Sequence, residues 1–257
     1  MRRVVIWLVA GSLSVMATVV IFCPATWVAS LLESRSAGRF VLGDAQGTVW
    51  RGSAFIGGAP GPGAAVTPLL PGRFAWRVSP LVLLGEVDID VENPDALSQA
   101  VKVTGDWTRW QVSPGAIRLP AERLAGLGAP LNTVQLSGQM RLSWGPLQLA
   151  RQGQKIDLTG TMKLDMDDIG SRLSAVRPLG AYQLTMDWQG QRAQLTLATI
   201  KGPMLLSGAG TLSNGRLQFA GKAEAEPAQE ERLANLLSLL GQRRTEGNKN
   251  VIALEFK

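Results

Sequence analysis

The feature that most constrains this chain is the run from Val4 to Phe22, VVIWLVAGSLSVMATVVIF, 19 residues without a charge or a proline. A helix of that length rises roughly 28 Å at 1.5 Å per residue, close to the ~30 Å hydrocarbon core of a bilayer. Arg2 and Arg3 precede it directly. Lys and Arg are retained on the cytoplasmic side of a membrane. The sequence therefore predicts a cytoplasmic tail (1–3), a transmembrane helix (4–22), a membrane-proximal connector (23–40) and a periplasmic domain (41–257). The run exceeds the about 7–15 apolar residues of a cleavable signal peptide, and Cys23-Pro24-Ala25 and Val28-Ala29-Ser30 are poor cleavage sites. Phe22, where a lipoprotein needs a small residue before its cysteine, argues against lipidation of Cys23. In the connector, Trp27, Leu31 and Leu32 recur at helical spacing. A short amphipathic helix and a continuation of the first helix past Pro24 both fit.

Absences exclude several kinds of chemistry. The chain has no histidine, which removes Ser-His-Asp and Cys-His catalysis and histidine metal sites. A single cysteine allows no intramolecular disulfide. The net charge of +6 is spread along the chain rather than clustered, so nucleic acid is not an expected partner. Gly57, Gly58, Gly61 and Gly63 lack the Gly-Lys-[Ser/Thr] ending of a phosphate loop. Asp168-Ile169-Gly170-Ser171 has the outline of an aspartic-protease turn. That chemistry needs two such aspartates, no second copy is present, and Ile169 lacks the bracing hydroxyl. Glu86, Asp88, Asp90 and Glu92 alternate with Val87, Ile89 and Val91. Same-face residues on a strand lie about 6.8 Å apart, which suits a solvated or Arg-paired face better than calcium. No catalytic residue, cofactor or metal ligand is expected.

Beyond the connector the pattern is β. Strands are predicted at Phe74–Val78, Glu86–Glu92, Tyr182–Gln189, Arg192–Ile200 and Val251–Phe256. Gly57–Gly72, rich in Gly and Pro, reads as a loop, Pro80–Gly85 as an apolar turn and Arg243–Asn250 as a polar loop. VQLSGQMRLSW (134–144) and IDLTGTMKLDM (156–166) repeat one another, with looser copies at Leu206–Leu212 and Val103–Trp107. Gly138 and Gly160 fall mid-strand, where glycine marks a bend or a close approach. Asn214-Gly215 is the preferred two-residue hairpin turn, and it sets Leu212 opposite Leu217 and Gly210 opposite Phe219. Helices are expected near Ala121–Gly128, Ile169–Leu179 and, with a leucine stripe, Glu226–Gly241. The expected fold is mainly β: one transmembrane helix, then a curved, twisted antiparallel sheet with a few short helices. Its concave side would be apolar.

Gly47-Thr48-Val49-Trp50-Arg51-Gly52 resembles the signature of the type II secretion system protein N family. Read by its residues alone, the stretch is a strand followed by a tight turn, with no reactive group. The resemblance extends over Pro24-Ala25, Trp76, Pro80-Leu81, Leu83-Leu84-Gly85, Leu179–Tyr182, Gly202-Pro203-Met204-Leu205, Leu206-Ser207-Gly208-Ala209-Gly210 and the leucines of 236–241. It implies an inner-membrane, non-enzymatic component of a type II secretion system that supports export of folded periplasmic proteins through protein contacts. Implied partners are other secretion components and inner-membrane lipids, with homo-oligomers open. The alternative is a periplasmic lipid-binding or lipid-transfer protein with an apolar β-groove, AsmA-like, because an exposed apolar sheet face must be covered or occupied.

Overall fold

The computed structural model describes residues 2–61, 63–127, 133, 135–153, 155–240, 242–246 and 249–256. Two helices come first, α1 (Arg2–Ile21) and α2 (Thr26–Arg35). The strands that follow are β1 (Phe40–Gly47), β2 (Arg51–Gly58), β3 (Thr67–Pro68), β4 (Phe74–Val78), β5 (Glu86–Glu92) and β6 (Val101–Asp106). Next come β7 (Arg109–Val112), β8 (Gly115–Pro120), β9 (Leu136–Trp144), β10 (Leu147–Gln152), β11 (Lys155–Ser171) and β12 (Gly180–Gly190). The chain ends with β13 (Arg192–Lys201), β14 (Met204–Ser213), β15 (Arg216–Ala225), α3 (Glu230–Leu240), β16 (Gln242–Glu246) and β17 (Lys249–Phe256). Among the described residues, no helix is long and apolar enough to cross a membrane.

All seventeen strands belong to one sheet. From β1 it passes through β2, β4, β5, β6, β7, β10, β11, β12, β13, β14, β15 and β17 to β16, every pair antiparallel. The β8–β9 pair joins through β11, which carries β9 and β10 end to end along one edge. Both repeat copies lie in this crossing. Gly138 (φ +121) sits opposite a bulge between Asp167 and Gly170, and a Cβ there would stand 2.7 Å from the Asp168 carbonyl oxygen. Gly160 (φ +139) lies where β9 gives way to β10, with the Pro146 carbonyl 3.0 Å from where its Cβ would be. The mid-strand glycines thus mark close approaches, as their position in the repeat suggests.

Other expectations need correction. Ile169–Leu179 is not helical: β11 runs on to Ser171, because the bulge lets Ile169 and Gly170 keep pairing with β12 and β9. Arg243–Asn250 is not a loop. Residues 242–246 and 249 onward pair as a hairpin, and its polar sequence hides it because an edge strand needs no apolar row. Gly57–Gly72 is also not wholly a loop. Gly57 and Gly58 end β2 and pair with β3, and Leu69 and Leu70 are buried. The first repeat copy pairs from Leu136, and Val134 lies outside the described residues. Residues Ala121–Leu127 form a 3-10 helix, with Gly128 outside the described residues.

Two cores hold the sheet. In the first, Leu233, Leu236 and Leu237 of α3 lie against Tyr182, Met204, Ala223 and Ile252. Burial of each leucine contributes roughly 1.5–3 kcal/mol. The Tyr182 hydroxyl donates to the Met204 carbonyl at 3.0 Å, and burial holds its pKa well above the ordinary phenol value. The second core joins Leu69, Leu70, Phe74, Ala96, Leu97 and Val101 in the N-terminal half. The apolar face across β11, β12, β14 and β15 is therefore packed under α3, at least where the first core lies.

Candidate functional site

The hexapeptide Gly47–Gly52 joins β1 to β2, and Gly47 and Gly52 face one another across the pair. Gly47 has a φ of +82°, which a side chain would strain. The turn is closed from inside. The Thr48 N–H donates to the Arg51 carbonyl (2.9 Å), and the Arg51 N–H donates to the Thr48 hydroxyl (3.1 Å).

The segment leaving α1 adds itself to this turn. The Val49 N–H donates to the Cys23 carbonyl at 2.9 Å, and the Ala25 N–H donates to the Gly47 carbonyl at 3.0 Å. Pro24 forms a β-bridge with Thr48. Proline has no N–H, and here its neighbours supply the bonds. Ala25 is buried in this junction, at 1% exposure. The indole N–H of Trp50 donates to the Val20 carbonyl at 2.8 Å. Carbonyls in the last turn of a helix lack partners within the helix, and this one gains a side-chain donor.

A second tryptophan braces the turn from β4. Trp76 pairs with Gly52, donates its indole N–H to the Val49 carbonyl (3.1 Å), and lays its ring where a Gly52 side chain would go. The Val78 N–H donates to the Trp50 carbonyl at 2.7 Å. Each such bond contributes roughly 0.5–1.5 kcal/mol net. Together they fix the direction in which α1 leaves the sheet. A cleft of about 390 Å³ beside the turn is lined by Ile21, Trp50, Arg51, Arg77, Pro80, Asp88 and others.

Of the residues carrying the resemblance, the structure gathers Gly47, Thr48, Val49, Trp50, Arg51, Gly52 and Trp76 into this one junction. Gly85 ends the nearby 3-10 turn Pro80–Leu84 with a φ of +101°. The rest lie in the other half of the sheet. Gly202 (φ +123) packs on Gly180, and the Pro203 carbonyl accepts from the Glu226 N–H at 2.9 Å. Gly208 and Gly210 sit beneath the Phe219 ring. The Val20 and Cys23 carbonyls escaped sequence reasoning, since backbone acceptors carry no sequence signal. The Pro24-Ala25 pair was the available pointer.

A larger depression of about 960 Å³ is lined by Asp95, Arg118, Glu122, Arg141, Asp167 and Asp168, among others. The Glu122 carboxylate accepts from the Gly138 N–H at 3.0 Å. Asp168, the residue of the protease-like turn, occupies the bulge with a φ of +50°. Asp88 meets Lys102 at 3.2 Å, a lysine where a solvated or Arg-paired face was expected of the β5 carboxylates. Among the described residues, no group of three or more Cys, Asp or Glu side chains could hold a metal ion.

A large antiparallel sheet whose first hairpin is hydrogen-bonded to the end of an N-terminal helix defines a helix-tethered β-domain. The chain belongs to the family of the type II secretion system (T2SS), protein N: that family's profile matches residues 39–251. The match takes in the junction hairpin and both sheet halves but begins after α2. No curated protein and no solved structure matches the chain.

Proposed function

We propose that this protein is a non-enzymatic, single-pass inner-membrane component of a type II secretion system, with its N-terminus cytoplasmic and its sheet in the periplasm. It supports export of folded proteins by contacting other components of the machinery. The observation that carries this reading is the junction. A domain that only needed to be near the membrane could hang from a flexible linker, whereas this one is hydrogen-bonded to the helix end at Val20, Cys23 and Ala25. A fixed attitude has value when the sheet must meet a partner at a defined height and angle. Anchoring by α1 draws support from the uncharged run Val4–Phe22 and from the exposure of Val5, Ile6, Trp7, Leu8, Leu13, Val15 and Met16, all above half their full area. The β11 bulge opposite Gly138 supports curvature in the sheet, since bulges bend strands.

The test is an in-frame deletion scored for extracellular enzyme activity, with a periplasm-specific reporter fused after Lys257. Loss of secretion and an active, membrane-retained reporter are the expected results. Normal secretion with altered outer-membrane permeability would replace this reading with the lipid-handling one. That alternative has less support, because the apolar sheet face it needs lies partly under α3.

A further inference from the structure

The registers place three connections at the same end of the sheet as the exit of α1. Gly52 pairs with Trp76, Val78 with Ile89, and Glu86 with Asp106. The 48–50 turn, the Pro80–Leu84 turn and the Asp106-Trp107-Thr108 turn are therefore neighbours. The Pro80–Leu84 turn is apolar throughout, yet it faces solvent: Leu84 is 83% exposed, Leu83 56% and Leu81 45%. Trp107 is 56% exposed beside it and donates its indole N–H to the Val82 carbonyl at 2.6 Å. The ring's polar atom is thus satisfied within the turn, leaving the rest of the ring free to enter an apolar medium. Gly85 and Ser79 cap the turn, so it is a rigid projection. Its base is continuous with α1: Ile21 and Pro80 line the same cleft, together with Arg51 and Arg77. Exposed Arg109 follows Trp107, and Asp106 is occupied in capping its own turn through the Thr108 hydroxyl and the Thr108 and Arg109 N–H groups.

We propose that the Pro80–Leu84 turn and Trp107 form a second membrane contact, entering the interfacial zone of the bilayer that α1 crosses. The occupant is the phospholipid surface itself. Aromatic and aliphatic side chains favour that depth, and arginines beside them favour the phosphate layer. With α1 as one point and this turn as another, the sheet is held against tilting about the helix. The inference rests on the anchor reading.

The test uses the full chain reconstituted in vesicles of phosphatidylethanolamine and phosphatidylglycerol, in a Cys23→Ser background. An environment-sensitive fluorophore is attached at Leu84→Cys, Ser12→Cys or Ala100→Cys, the last at the opposite end of β6. Nitroxide-bearing phospholipids serve as quenchers. Quenching and blue-shifted emission at residues 12 and 84, but not at 100, are expected. Quenching at 12 alone overturns the second contact and leaves the anchor standing. Quenching at 84 alone removes the anchor, and with it the proposal that rests on it. Quenching at neither, or equally at 84 and 100, overturns the proposal. Labelling at Leu83→Cys repeats the measurement if the Leu84 variant does not fold.

Discussion

Gly52 lies beneath the Trp76 ring and Gly210 beneath the Phe219 ring, each ring coming from the neighbouring strand. The local device is the same, a ring filling the space that a missing side chain leaves. The consequences differ. Around Gly210, Gly208 and Gly221 also crowd the ring, and all three glycines belong to β14 and β15. Around Gly52, the ring carries a donor to Val49, whose own N–H reaches Cys23 at the end of α1. One site stabilises a hairpin. The other passes the same packing on to a helix outside the sheet. Phenylalanine suffices for the first role; the second needs the indole N–H.

The strongest way to break this contrast is Gly52→Val. Its added atoms meet the Trp76 ring and the Thr48 carbonyl, so the ring must leave and its bond to Val49 is lost. The expected cost is about 3 kcal/mol, the range of overpacking plus a lost buried bond. Denaturant melts should record it, and protease cleavage between α1 and β1 should accelerate. Next, Gly210→Val should cost about 2 kcal/mol by pressing on Phe219 and the Gln218 backbone, with Gly215→Val similar because its φ of +76° resists a branched residue. Neither should alter cleavage near α1. If Gly210→Val loosens the helix as much as Gly52→Val does, the two regions are not separable.

Trp50→Phe sharpens the comparison, because it removes the donor to Val20 and keeps most of the ring. A loss of about 1 kcal/mol is expected. It should appear as faster hydrogen exchange at the end of α1 with the β14–β15 hairpin unchanged. Tyr182, the chain's one tyrosine, reports on the C-terminal half by itself. Its folded pKa is raised by burial from an ordinary 10.0. Stability from its neutral hydroxyl is full below that pH and declines as pH rises past it, since the unfolded chain ionises first. Phenolate absorbance should therefore stay absent until the sheet unfolds. Ionisation near pH 10 in the folded protein would show an open core. The smallest effect, below about 0.5 kcal/mol, belongs to Gly61→Ser, where an added Cβ meets nothing within 4 Å. A larger cost there would mean that the 59–66 connection packs more tightly than its neighbours imply.

Much of the local structure was legible in the chain. Phe74–Val78 and Glu86–Glu92 are strands with the bounds their alternation indicates, because a face that is half buried writes a period of two. The Asn214-Gly215 turn sets Gly210 against Phe219, since both central residues adopt positive φ and a two-residue loop leaves no freedom of register. The Gly47–Gly52 stretch stood out too, although its residues alone read as a strand and a turn with no reason to touch a helix.

Tertiary structure decided the rest. The bond from Trp50 to Val20 spans 30 positions, and one partner is a backbone carbonyl that every residue possesses. The polar hairpin β16–β17 and the tandem placement of β9 and β10 on β11 depend on which edge is free when each strand arrives. Leu84 shows the limit most plainly: its stretch reads as an apolar turn, and only the fold shows that it, Leu81 and Leu83 are left in the open. Sequence fixes periodicity and turn geometry because these are set by torsions within a few residues. Which face is covered, and by what, depends on packing between segments that the chain's order does not encode locally.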